Sequence, residues 1–256
     1  MRRIIAGWVM ACLFAGNALA SDVVTACGHD DYPPWNWRSG DKIVGVCAEI
    51  TSTVFARLGL EVSLDYAGPW SRCQKYVESG RIDVNICAFV NDTRKGYSTF
   101  AGRPMGINEI SIFVRKGEEF AFTTLRDLSG KRAIMLDGVS IGQGNDVFLE
   151  ANTMLYRMEN RLQAFRFLEA GRADFFVTGK QIGLLQRDLH HFEDRITVLP
   201  RPVVQGPLYI SVSKKSPFSG YLDQIDDILA EPGYMQMVEN LLGKYKQVYL
   251  DENRTP

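Results

Sequence analysis

A short stretch that occurs twice constrains this chain more than anything else in it. Glu78-Ser79-Gly80-Arg81-Ile82-Asp83 returns as Glu169-Ala170-Gly171-Arg172-Ala173-Asp174. Each copy follows an apolar-periodic helix and precedes a strand, Val84 to Ala88 in the first case and Phe175 to Thr178 in the second. Ahead of the first copy, Trp70, Cys73, Tyr76 and Val77 lie at helical spacing, and Gly80 stops the helix. After it, Ile82, Val84, Ile86 and Ala88 alternate as a strand does. Glycine followed by charge is a common helix stop, so chance reuse stays open. Two similar helix-to-strand units nevertheless imply two lobes with a ligand between them.

The first of these strands empties into a polar loop, Asn91-Asp92-Thr93-Arg94. In open α/β sheets, ligands sit in the crevice beyond the carboxyl ends of the strands, which makes Arg94 and its loop partner Asn91 candidate contacts. The competing role for Arg94 is a surface arginine paired with Asp92.

Met1 to Ala20 has the form of a secretory signal: Arg2 and Arg3, an apolar run from Ile4 to Gly16, then Ala18-Leu19-Ala20 as a cleavage site. The mature chain is therefore expected to begin at Ser21 and to act in the periplasm. Cys12 gives a minor alternative, a lipoprotein site, although the apolar run continues past it. That run is shorter than the roughly 20 residues a transmembrane helix needs. Removing the signal takes two of the 29 basic residues and none of the 30 acidic ones, leaving a mildly acidic chain with no basic cluster to meet a nucleic acid. Of the remaining cysteines, Cys27, Cys47, Cys73 and Cys87, three pairings are open in an oxidising compartment. Cys27-Gly28-His29 could be half a metal site, but the other histidines are His190 and His191 and no CxxC occurs, so no metal or cofactor is expected.

Val23 to Cys27 reads as the first strand, and Asp30-Asp31-Tyr32-Pro33-Pro34-Trp35-Asn36-Trp37 as a stiff loop whose aromatics either cap the core or line a pocket. A helix follows from about Ala48 to Leu58, then a strand from Glu61 to Tyr66, then the helix beginning near Trp70. This β-α-β-α-β order predicts parallel strands in a doubly wound sheet, with Arg94 on the same edge as Tyr32 and Trp70. Further along, Glu109 to Lys116 alternates as a long strand, and Ala133 to Leu136 ends in Asp137-Gly138-Val139-Ser140, which suits the start of a helix with backbone N–H groups facing outward. Ser140 is either a helix cap, an anion contact, or both. Leu208 to Val212 is a second long strand, followed by helices around Tyr221 to Leu229 and Tyr234 to Lys244 that return to the first lobe.

Taken together, these segments resemble the extracellular solute-binding proteins of family 3, the polar amino-acid-binding group of periplasmic ABC-transporter receptors. The resemblance rests on Tyr32-Pro33-Pro34-Trp35, on Val44-Gly45-Val46 leading to Glu49, on Pro69-Trp70 with the first copy of the repeat, and on Thr93-Arg94 with Phe100 and Pro104. It continues through Leu125 to Lys131, Gly171 to Asp174, and Lys214-Lys215-Ser216-Pro217. It implies an α/β, two-lobed type II periplasmic binding protein fold, each lobe a doubly wound, mostly parallel sheet, joined by two crossover strands. Lobe 1 would comprise residues 21–110 and 207–256, and lobe 2 residues 111–206. Periplasmic binding proteins are a known case of hinge closure around a ligand. By the same resemblance, Tyr32 stacks on the ligand, Arg94 grips its α-carboxylate, and the backbone and hydroxyl near Val139 and Ser140 meet that carboxylate. Trp70 and Phe89 are expected to complete an apolar wall.

The departures from the family pattern bear on the ligand. Cys87 and Phe89 stand where the family carries small hydroxyl residues, and Gly179 stands where its second-lobe aspartate holds the α-amino group. Either another acid, Glu49 or Asp31, reads that amine, or the ligand is a carboxylate without one. The Pro-Trp-Ser-Arg stretch also resembles a branch of the family whose members are often not tied to a transporter. The expectation is a monomeric, non-catalytic receptor for a small carboxylate-bearing solute, serving an ABC permease or a membrane sensor. Two alternatives belong to other classes: a periplasmic dehydratase-like enzyme, which needs an acid in the cleft near Ser140, where Asn145-Asp146 is the only nearby candidate and matches poorly, and a protein-binding sensor with an empty cleft.

Overall fold

A computed structural model describes residues 23–253. The signal segment expected at 1–20 lies outside the described residues. The chain opens with β1 (Val23–Cys27), three short strands β2 (Asp31–Tyr32), β3 (Asn36–Ser39) and β4 (Lys42–Val44), helix α1 (Val46–Arg57), β5 (Glu61–Ser63), α2 (Trp70–Ser79) and β6 (Val84–Ala88). Next come α3 (Asp92–Tyr97), β7 (Ser98–Phe100), β8 (Gly106–Arg115), β9 (Arg132–Leu136), α4 (Gln143–Asn152), β10 (Met154–Met158), α5 (Arg161–Glu169) and β11 (Phe175–Gly179). The remainder is α6 (Lys180–Leu189), β12 (Ile196–Val198), β13 (Val204–Ser213), α7 (Leu222–Leu229) and α8 (Tyr234–Asn253). Among the described residues no helix is long and apolar enough to cross a membrane.

The main sheet has two halves built on one plan. In the first, β5 and β6 flank β1 in parallel; in the second, β10 and β11 flank β9 in parallel. Each half thus runs strand, helix, strand, helix, strand, with the first strand in the middle. The two ten-residue strands β8 and β13 take part in every antiparallel pair of this sheet. They pair with one another between Gly106–Ile110 and Val204–Leu208, and beyond that stretch each pairs within a different half, β8 with β11 and β12, β13 with β6 and β7. The halves are therefore joined in one curled, hydrogen-bonded path rather than as detached sheets.

The duplicated hexamer occupies equivalent positions in the two halves, and its purpose is structural. Gly80 (φ 78°) and Gly171 (φ 71°) take the left-handed conformation that ends α2 and turns the chain after α5. Each aspartate then fastens the central strand of its own half. The Asp83 carboxylate accepts from the Thr25 N–H (3.0 Å) and hydroxyl (2.6 Å) on β1. The Asp174 carboxylate accepts from the Arg132 N–H (2.7 Å) and guanidinium (2.6 Å) on β9, and the Arg132 charge holds it below the usual carboxylate range. Removing a charged acceptor from partly buried donors costs about 1.5 to 3 kcal/mol. Asp83→Ala should lower unfolding free energy by that amount in urea titration with no change in slope; an unchanged midpoint would show the staple to be idle.

Apolar residues gather in separate clusters for the two halves. Val24, Trp35, Phe55, Ile86 and Ile210 belong to the first; the second half packs Ile110, Met135 and Phe175 on one face of its sheet and Phe113, Phe165 and Phe176 on the other. The C-terminal α8 packs on the first cluster through Tyr234 and Val238, and its end reaches α6, where Gln186 donates to the Tyr249 hydroxyl at 2.8 Å. Two expectations change. Asn91 to Arg94 is the cap and first turn of α3 rather than a loop, because the Asn91 side chain accepts from the Arg94 N–H at 2.8 Å. The helix after Ser140 begins later, at Gln143, with Gly142 at its N-terminal boundary.

Candidate functional site

The carboxyl ends of β1, β6 and β9, with the start of α2, converge on one cavity of about 40 Å3 lined by His29, Tyr32, Trp70, Cys87, Phe89, Arg94, Val139 and Ser140. This is more than one water needs and far less than the 300–1,000 Å3 of a drug-sized pocket, so the two halves stand close together. A larger groove of about 740 Å3 between α6 and α8 lies away from the strand exits.

The Tyr32 to Trp37 loop divides its aromatics between the two roles left open. Trp35 and Trp37 are buried in apolar clusters, while Tyr32 faces the cavity. The Tyr32 hydroxyl accepts from the Asn108 amide on β8, whose oxygen accepts from the Trp35 indole N–H at 3.2 Å. Burial raises the phenol to about 12, against the opposing effects of Arg161 and the Asn108 bond, so it stays protonated. The same hydroxyl explains Gly179: a Cβ at that position would collide with it. Tyr32 thus fills the space that a second-lobe acid would need.

Arg94 is 7 % exposed and held at three points. Its Nε donates to Gln74 Oε1 (2.8 Å), its Nη1 donates to the Phe89 carbonyl (2.7 Å), and its guanidinium lies 5.4 Å from the centre of the Trp70 ring. Burial pulls its pKa below the ordinary value while Tyr97 and Asp146 act in the opposite direction; a guanidinium in a protein remains charged. From the other half, the Ser140 hydroxyl donates to Asp146 (2.5 Å) and accepts from the Gly142 N–H (3.2 Å), and Asp146 also accepts from the Ile141 N–H (2.9 Å). Ser140 is therefore fixed at the cavity wall as part of a hydrogen-bonded turn.

The structure brings together Arg94, Tyr32, Trp70, Phe89, Val139 and Ser140. Asn91 supports Arg94 by capping its helix and does not itself line the cavity. Glu49 is elsewhere: its carboxylate is bound to Lys244 (2.5 Å) and the Tyr245 hydroxyl (2.6 Å) on α8, because the helix α1 that carries it turns that face toward the C-terminal helix. Asp31 pairs with Arg161 at 2.7 Å. Neither acid stands free to read an amine in the cavity. Two further wall residues, His29 and Cys87, were noted in the sequence for other reasons and not as ligand contacts. His29 stacks on Trp70 (centroids 5.4 Å apart) and accepts the Asp31 N–H at 3.1 Å; burial first, then Arg161 and Arg94, push it down to about 3, so it is a neutral imidazole. Cys87 takes the left-handed backbone (φ 60°) that few non-glycine residues adopt, and is bonded to Cys47 on α1. The other disulfide joins Cys27 to Cys73, so the half metal site considered for Cys27 and His29 does not form. Among the described residues, no cluster of three His, Cys, Asp or Glu is placed to hold a metal.

Residues 24–245 match the bacterial extracellular solute-binding proteins, family 3. The chain belongs to that family. A curated relative, the L-cystine-binding protein TcyJ of Escherichia coli (strain K12), is 28 % identical over 158 residues, which cover 60 % of this chain and 57 % of the relative; the match thus spans less than two thirds of that protein's length. Among solved structures, the GluR0 ligand-binding core in complex with L-glutamate superposes with a TM-score of 0.69 at 14 % identity, covering 91 % of this chain and 99 % of that one. An ancestral arginine-binding protein bound to arginine gives 0.67 at 22 % identity over 87 % and 97 % of the two chains. A histidine kinase sensor domain with similarity to periplasmic binding proteins gives 0.67 at 19 % identity over 90 % and 96 %. These likenesses establish the two-lobed type II periplasmic-binding fold.

Proposed function

We propose that this protein captures a small carboxylate-bearing solute, an amino acid or related acid, between two lobes, for uptake by an ABC permease or for sensing. The observation that carries this reading is Arg94: a buried guanidinium, fixed by Gln74 and Phe89, at the rim where strand ends from both halves meet. A planar fork of N–H donors suits a carboxylate, and charge-assisted bonds of this kind contribute roughly 1.5 to 3 kcal/mol. The lobes in this reading are residues 21–110 with 207–256, and 111–206, so that chain crossings fall within the paired stretch of β8 and β13. A solute enters when the halves part and is enclosed when they close. TcyJ is named for cystine, and solved relatives are described with arginine and glutamate, which supports an amino-acid-like ligand. The permease and sensor roles are both compatible with those names.

A thermal-shift screen of amino acids, dicarboxylates and aromatic acids tests the reading, since ligand at a hundredfold excess over Kd stabilises by about 2.7 kcal/mol. The expected result is a rise in melting temperature with carboxylates and none with the corresponding amides. A screen without any shift would remove solute capture.

One observation favours a second reading. Asp146 is hydrogen-bonded to Ser140, a residue of the cavity wall, and an acid near Ser140 is what a dehydratase-like enzyme would need, which supports this reading. Incubation with prephenate or arogenate decides it: an aromatic product establishes the enzyme, and unchanged substrate removes it.

A further inference from the structure

Helix α6 carries Ile182, Leu185 and Gln186 three and four positions apart, on one face of the helix, and all three are buried. The helix belongs to the second half of the molecule, yet this face packs on the first. Ile182 sits in the apolar cluster that contains Tyr32, and Leu185 forms a small cluster of its own with Trp37 of β3 and Tyr249 of α8. The end of α8 holds a place between them. The Trp37 indole N–H donates to the Glu252 carboxylate at 3.0 Å, and the Trp37 ring meets Tyr249 edge-on with centroids 5.3 Å apart. On its other side the Tyr249 hydroxyl accepts from the Gln186 amide at 2.8 Å, with both side chains buried. The end of α8 is thus tied to the first half through Trp37 and to the second through Gln186 and Leu185.

This junction continues toward the cavity. Trp37 ends the loop that carries Asp31 and Tyr32, and at Asp31 a second tie crosses between the halves: Arg161 of α5 donates through Nη1 to the Asp31 carbonyl (2.9 Å) and carboxylate (2.7 Å). The two ties are close enough to feel one another. Burial first, then Asp31, raises the Tyr249 phenol above its ordinary value, while Gln186 and Arg161 act the other way, so the hydroxyl stays protonated. None of Asp31, Arg161, Gln186 and Tyr249 lines the cavity, so the seam joins the halves through groups that are not solute contacts.

We propose that the end of α8 is a latch: Tyr249, bound to Gln186 and packed on Leu185 and Trp37, holds the two halves together and is released when they part about the paired stretch of β8 and β13. A receptor built this way supports part of its closed arrangement itself. A solute then has less of the equilibrium to shift, and its apparent affinity depends on the fraction of molecules already closed. That consequence rests on the solute-capture reading; the latch itself does not, and it is tested without solute.

The test is the separation of the halves by pulsed electron resonance, between nitroxide labels on Ser71→Cys and Val147→Cys. Both positions are exposed, one beside Trp70 and the other on α4 beyond Ser140, and the cysteines at 27, 47, 73 and 87 are already paired. The labelled protein should show a majority population at short separation and a minor one at longer separation. Tyr249→Phe and Gln186→Met should each raise the ratio of long to short about twofold to tenfold, the worth of one hydrogen bond, and the double variant should do no more than either alone. Tyr249→Ala should open the protein further, because the packing against Trp37 and Leu185 goes with the hydroxyl. Arg57→Gln is the control, since its pair with Glu231 lies wholly within the first half, and it should leave the distribution unchanged. Circular dichroism checks that each variant is folded, and should Tyr249→Ala fail, the two conservative variants decide alone. Distributions in Tyr249→Phe and Gln186→Met that match the unsubstituted protein overturn the latch, as does an equal shift with Arg57→Gln, which would mark general loosening. Solute capture is untouched by either result, because the thermal-shift screen reads it separately.

Discussion

Arg94→Ala is expected to give a folded protein whose affinity for its carboxylate ligand has fallen about tenfold to more than a hundredfold, the equivalent of roughly 1.5 to 3 kcal/mol. The guanidinium is placed before any solute arrives. Gln74, itself bonded to the Tyr97 hydroxyl at 3.1 Å, fixes Nε; the Phe89 carbonyl fixes one face of Nη1; and Asn91 fixes the backbone through the helix cap. Little ordering of the side chain is then needed on binding. Arg94→Lys should be almost as damaging, since an ammonium cannot hold Gln74, Phe89 and a bidentate carboxylate at once. Titration calorimetry on wild type and both variants checks this, and equal affinities would place the anchor elsewhere.

The largest effect on stability is expected at Gly45. Its φ of 121° and ψ of −176° are essentially closed to side chains, and a Cβ there would sit 2.6 Å from the Trp35 carbonyl and 2.8 Å from the Asn36 Cα. That closeness serves the cavity: the Val46 and Cys47 N–H groups bond the Pro34 and Trp35 carbonyls at 3.0 and 2.8 Å, so the start of α1 is clamped to the loop carrying Tyr32. Strain and overpacking each cost about 1 to 3 kcal/mol, and the obstruction is backbone that cannot swing aside, so Gly45→Ala should lose about 3 kcal/mol or more. Gly40→Ala is the control, because Gly40 also has positive φ (61°) but open space around it; about 1 to 2 kcal/mol is expected. Urea unfolding of the two variants compares them, and similar losses would show that the clamp contributes nothing.

The span from α2 to β6 was readable almost to the residue because everything that defines it is local: a helical period, a glycine stop and an alternating strand. The two-lobed architecture followed from the duplicated hexamer and the long strands. Other features depend on partners distant in sequence. Glu49 looked available because Lys244 and Tyr245, which occupy it, lie at the far end of the chain. The disulfide partners followed from the placement of β1 and β6 against α2 and α1, which no spacing of cysteines encodes. The turn at Asn91 is too short for periodicity, although its asparagine cap is a local signal. Helix α6 (Ile182, Leu185) and strand β10 went unread, the strand because its outer residue Met154 is exposed.

The placement of the two disulfides has a consequence for how such a receptor changes over time. Cys27 and Cys87 lie on neighbouring strands, each cross-linked to a helix packed beside them, and β9 to β11 carry no cysteine. The covalent network therefore surrounds the Arg94 side of the cavity alone. If the cavity holds the solute as proposed, substitutions around Val139 and Ser140 should alter which solute fits without disturbing the cross-linked wall. Diversification of ligand preference is accordingly expected to accumulate in the half without disulfides, while the cross-linked half that carries Arg94 drifts slowly.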